Sequence, residues 1–108
     1  MAKKENEIIS EIKILIERLR EKHDIHEAYL FGSCVAGKCR RHSDVDIAVV
    51  LSKLRKHNGA PFDETFDIFH EGQEFDSRFE IVCFSKEEFR EDRFSIVKHI
   101  KREGKRIL

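Results

Sequence analysis

From Ile8 to Leu19 the apolar residues Ile8, Ile9, Ile12, Leu15, Ile16 and Leu19 recur at three- and four-residue intervals, with Glu, Lys and Arg between them. A repeat near 3.6 gathers them on one stripe, which predicts an amphipathic helix. Glu27 to Phe31 predicts a short strand, stopped by Gly32-Ser33, with a brief helical turn over Cys34 to Ala36 before Gly37. Lys38 to Ser43 is polar and reads as a loop. Val45 to Leu51 is nearly unbroken apolar after Asp46, as in a strand covered on both faces. Ser52 to Phe62 reads as a second loop. Phe62, Thr65, Phe66 and Phe69 then mark a helical face, expected as core or as an apolar surface for a partner, with Gly72 closing that helix. Arg78 to Phe84 predicts a third strand. Ser85-Lys86-Glu87-Glu88 has the spacing of a capping box, and a last helix is expected from Phe94 to Glu103 before Gly104.

The order helix, strand, strand, helix, strand, helix predicts an α+β fold (α/β layers), a small mixed sheet covered by helices. At 108 residues, against roughly 150 per domain, residues 1–108 are expected to form a single domain. Its longest apolar runs fall far short of the roughly 18 residues a spanning helix needs, so no membrane segment is expected. The basic start lacks a long apolar core behind it, so neither a signal peptide nor a lipid anchor is indicated.

Charge narrows the partners. The 21 basic and 21 acidic residues cancel, leaving no global field for a polyanion and disfavouring a large nucleic-acid substrate. Three cysteines, Cys34, Cys39 and Cys83, without CxxC spacing read as reduced thiols in a cytoplasmic protein. A small core and zero net charge favour self-association or a dedicated protein partner.

The candidate chemistry is concentrated in Gly32 to Val49. Gly32 and Ser33 stand where a strand gives way to a turn, so their backbone N–H groups and the Ser33 hydroxyl are placed to meet an anion, phosphate above all. A Gly-Ser turn is also an ordinary strand terminator. Asp44 and Asp46, two apart at the start of a strand, leave the same face, and two such carboxylates suit Mg²⁺, a hard cation that takes further oxygens from nucleotide phosphates. Capping and an exposed strand edge are the plainer roles for that pair. Glu80, on the third strand, reaches the same patch if that strand lies beside the second, as a further metal ligand or as a base. Lys38, Arg40, Arg41 and His42 form a basic run suited to phosphate contact or to plain solvation. His23 and His26, near a helix end, are read as capping or surface residues, and no zinc site is expected.

Gly32-Ser33, Gly37, Ser43-Asp44-Val45-Asp46 and Glu80 together resemble the minimal nucleotidyltransferase domains of the DNA polymerase β-like superfamily. The likeness extends over nearly the whole chain, through Phe79-Glu80-Ile81 and Phe84 to Phe89 to Ile100-Lys101-Arg102-Glu103-Gly104. It implies that Gly32 and Ser33 hold nucleotide phosphates, and that Asp44, Asp46 and Glu80 are the catalytic and metal-binding acids, with glutamate at 80 where many members have aspartate. The implied cofactor is Mg²⁺, with Mn²⁺ as a substitute, and ATP or another nucleoside triphosphate is the implied substrate. The small stand-alone members imply a HEPN-type toxin as partner, modified or simply covered by its antitoxin. Two other readings stand beside this one. A non-catalytic binding protein would leave an apolar helical stripe exposed with its carboxylates splayed apart, and an antibiotic-type small-molecule transferase would show a polar pocket beside Glu80.

Overall fold

The computed structural model describes residues 5–35, 43–54 and 63–108. In chain order they form α1 (Glu5–Arg20), β1 (Ile25–Phe31), a single 3₁₀ turn (Gly32–Cys34), β2 (Val45–Leu51), α2 (Asp63–Phe75), β3 (Phe79–Ser85), α3 (Lys86–Arg90), α4 (Ser95–Glu103) and β4 (Lys105–Arg106). One four-stranded sheet runs in the order β3-β2-β1-β4. β1 is antiparallel to β2 and to β4, while β2 and β3 are parallel and joined through α2. The expected α+β architecture is present.

β2 is central, and its alternation feeds two cores. Val45, Ile47, Val49 and Leu51 face α1 and α2 and pack with Ile8, Ile12, Leu15, Ile16, Leu19, Ile68, Phe79 and Ile81, all essentially buried. Each such side chain contributes about 1.5–3 kcal/mol of burial. On the opposite face Ala48 and Val50 pack with Phe31, Phe84, Phe89, Val97 and Ile100, and Tyr29 stacks on Phe89 at 5.2 Å. The capping box is formed as the spacing predicts: Glu88 N–H donates to Ser85 Oγ at 3.1 Å, and Ser85 N–H donates to the Glu88 carboxylate at 2.9 Å.

Several expectations are corrected. Phe66 and Phe69 are exposed, as an apolar surface rather than core: Glu64, Ile68 and Gly72 are the buried positions of α2, and of its phenylalanines Phe75 packs against the core. Gly72 does not end the helix, which continues to Phe75. Its missing side chain lets β3 approach, since a Cβ there would stand 2.7 Å from Ile81 Cδ1. That contact fixes the rotation of the helix. Phe62 lies outside the described residues. The fourth strand was not expected because its two residues are Lys105 and Arg106; it is held by Ile107 N–H donating to the Ala28 carbonyl at 2.7 Å. The helical turn after β1 begins at Gly32, two residues earlier than expected.

Candidate active site

β1, β2 and β3 bring Phe31, Asp46 and Glu80 side by side, because Phe31 is paired with Asp46 and Asp46 with Glu80. Adjacent strands lie about 4.8 Å apart, and residues in register point to the same face, so Asp46 and Glu80 both leave the α3/α4 face. Asp44 stands exposed immediately before β2. Glu80 shares a hydrogen bond with it.

That hydrogen bond, followed by burial and the charges of Asp44 and Asp46, raises the Glu80 pKa. Partial burial, followed by the charge of Asp44, raises that of Asp46. Among the described residues no Lys, Arg or His pairs with any of the three. Among the described residues the fold therefore brings like charges together with no cation beside them.

Gly32 takes φ of +83°, in the left-handed region. A Cβ at this position would overlap the Asp46 carboxylate, so glycine is required both by the backbone and by the acid lying against it. The turn is closed by Val35 N–H donating to the Gly32 carbonyl at 3.2 Å. Ser33 is exposed on it, while Cys34 is buried with Sγ 3.6 Å from the Asp44 carbonyl oxygen. Turn and acidic strand are thus packed as one unit.

Gly32, Ser33, Asp44, Asp46 and Glu80 come together at one end of the sheet. Lys38, Arg40, Arg41 and His42 lie outside the described residues. Among the described residues no group of three or more His, Cys, Asp or Glu side chains is arranged to hold a metal ion. The donor set nevertheless suits Mg²⁺, which commonly takes one or two carboxylates and fills its shell with water and phosphate oxygens. The raised pKa values of Asp46 and Glu80 mark a charge cluster that a cation would relieve.

Three further readings are settled by side-chain surroundings. His23 is not a surface residue: it is buried, with Nδ1 2.7 Å from the Glu64 carboxylate. A buried glutamate at a helical core position was the available signal, since such a group calls for a partner. Cys34 is disulfide-bonded rather than reduced; an odd cysteine count still leaves room for one bridge. Cys83 is a free thiol, and burial pushes its pKa up to about 12. A cleft of about 860 Å³ is lined by Arg18, Lys22, His23, Asp67 and Glu71 of the α1/α2 side, on the other face of the sheet from Asp46 and Glu80. Among the described residues no helix is long and apolar enough to cross a membrane.

A sheet with this order, a glycine turn against a carboxylate, and acids on adjacent strands define a nucleotidyltransferase-type domain. The chain belongs to the polymerase beta nucleotidyltransferase family, whose model matches residues 13–108. Among solved structures it is similar to a toxin–antitoxin with AMP-PNP, at TM-score 0.66 and 21% identity over 93% of this chain and 72% of the other. It is also similar to a mutant of the toxin–antitoxin MntA-HpeT in which two aspartates two residues apart are glutamate, at TM-score 0.61 and 19% identity over 91% and 71%. A putative nucleotidyltransferase from Sulfolobus solfataricus aligns at TM-score 0.52 and 20% identity over 83% and 76%. At these identities the likeness establishes the shared fold. No curated protein is significantly similar in sequence.

Proposed function

We propose that the chain is a metal-dependent nucleotidyltransferase that moves a nucleoside monophosphate, AMP from ATP, onto a hydroxyl of a partner protein, as the cytoplasmic antitoxin of a HEPN-type toxin. The observation that carries this reading is the meeting of Asp44, Asp46 and Glu80 beside the Gly32-Ser33 turn. The family match and the similarity to a toxin–antitoxin with AMP-PNP support it. So does the mutated pair of aspartates in the MntA-HpeT structure, whose spacing is that of Asp44 and Asp46.

In the reaction an acceptor oxygen bonds to the α-phosphorus, the bond from that phosphorus to the bridging oxygen breaks, and pyrophosphate leaves. Gly32 and Ser33 hold the phosphates through backbone N–H groups and the hydroxyl. Asp44 and Asp46 hold the metal, and Glu80 joins them as a third ligand or takes the acceptor's proton. When bound, Mg²⁺ or Mn²⁺ offsets the repulsion between the entering oxygen and the phosphates. Lys38, Arg40 and Arg41 add phosphate contacts.

The test is transfer from α-labelled ATP, against the other three nucleotides, in Mg²⁺ or Mn²⁺ with the co-purifying or genetically adjacent protein. Label on the partner, abolished by Asp44→Ala/Asp46→Ala, is expected. A second reading, neutralisation by binding alone, draws on the exposed Phe66 and Phe69, although the carboxyl groups are hydrogen-bonded rather than splayed. No label with any nucleotide, alongside a tight complex that survives the double substitution, would select it.

A further inference from the structure

The outer edge of β3 carries a short, specific vacancy in hydrogen bonding. Val45 N–H donates to the Arg78 carbonyl at 2.8 Å. With β2 and β3 in parallel register, this directs the backbone groups of Glu80, Val82 and Phe84 toward β2, and those of Phe79, Ile81, Cys83 and Ser85 outward. The two ends of that outward row are already satisfied. Phe79 N–H donates to the Asp76 carbonyl, Gln73 Nε2 donates to the Phe79 carbonyl at 2.6 Å, and Ser85 N–H is taken by Glu88. Among the described residues the N–H and C=O groups of Ile81 and Cys83 face no strand.

The surroundings of that window are apolar. Phe66 is 60% exposed, Phe69 39% and Val82 37%, and the three line a groove of about 400 Å³ between α2 and β3 together with Thr65, Ile81 and Cys83. On the other face Phe94, 46% exposed, packs against Phe84 of β3 at 6.2 Å. Among the described residues the edge lacks the usual guards against pairing: β3 contains no Lys or Pro, and its one charge, Glu80, sits near its start.

We propose that this edge is a homodimer interface, in which β3 pairs antiparallel with β3 of a second copy across a two-fold axis at Val82. A two-fold perpendicular to a continuous sheet must put a residue opposite itself, and three central registers are possible. Centring on Ile81 would set Cys83 against the occupied Phe79, and centring on Cys83 would set Ile81 against the capped Ser85. Centring on Val82 sets Ile81 opposite Cys83 of the second copy twice, so that all four open groups of each chain find partners. It also overlaps the whole strand. Val82 then meets its own counterpart, and Phe66 and Phe69 of the two α2 helices close over the joined edges, with no charged residue in the paired strands except Glu80. The Glu80 pair stays four residues apart along the strands, so both acidic sites remain separate.

The test is sedimentation of the full-length chain from about 1 to 100 µM, with amide exchange at Ile81 and Cys83. A dimer is expected, with those two amides protected as concentration rises. Val82→Lys, at an exposed position, is expected to weaken it roughly tenfold or more by opposing like charges, without changing the circular dichroism spectrum. Val82→Cys should give a covalent dimer on mild oxidation, since that pair's Cα atoms would lie about 4.5 Å apart. A monomer throughout the range overturns the proposal, as does a dimer indifferent to Val82→Lys. Protection of β3 that appears only on adding a heterologous protein also overturns it, and assigns the edge to that protein's strand.

Discussion

Two groups of acidic side chains in this molecule have opposite settings. Glu64 is buried between α1 and α2 and has His23 at 2.7 Å. Asp44, Asp46 and Glu80 meet one another at the end of the sheet, and among the described residues no basic side chain pairs with them. A buried acid with a partner is what folding alone selects, because an unpaired one would be costly. An acid cluster with no cation beside it among the described residues is a cost to folding, and it suits the cation that the proposed function would bring. The contrast separates a structural pair from a candidate functional cluster without reference to sequence motifs.

The largest effect expected from breaking that contrast is on the open cluster. Asp44→Ala/Asp46→Ala should lower nucleotide transfer by about a thousandfold or more, equivalent to about 4 kcal/mol of barrier, while thermal unfolding shows no loss of stability. A double mutant that unfolds at markedly lower temperature would remove the distinction. The reverse is expected at the closed cluster. His23→Ala leaves Glu64 buried without that partner and should cost about 3 kcal/mol in denaturant unfolding, with transfer per folded molecule unchanged. Replacing both residues by Leu should recover most of that loss.

Glu88 marks the intermediate case, an acid satisfied by backbone N–H at a part-buried position. Ser85→Ala removes the hydroxyl side of this box and should cost about 1 kcal/mol by denaturant titration; a loss above about 3 kcal/mol would place the box among the buried pairs instead. Ser85 and Glu88 were legible because a capping box is a local pattern. So was β2, whose apolar run gives its bounds directly, and so were the five residues now found beside one another at its start. The rotation of α2 was not legible. It depends on Gly72 meeting Ile81 and on Glu64 meeting His23, contacts across elements that no window of sequence contains. β4 was missed because two charged residues carry no strand period, although backbone bonds to Ala28 hold the adjoining tail.

The smallest expected effect is the most direct reading of the open cluster. The Asp46 pKa is raised by burial and by Asp44, from 3.8 in the unfolded reference. Above 3.8 the unfolded chain gives up this proton more readily than the folded one, so stability falls as pH rises through the folded value, and the cost is fully present at neutral pH. Asp46→Asn removes that charge at nearly the same shape. It should therefore raise the unfolding temperature at pH 7 modestly, because the group is only half-buried, and the gain should disappear below about pH 3.8. Mg²⁺ with a non-hydrolysable nucleotide should stabilise the natural protein and not the Asn variant, since only the former offers a ligand for the cation. An Asn variant less stable at pH 7 would show that Asp46 is held by a compensating interaction, and would move it into the same category as Glu64.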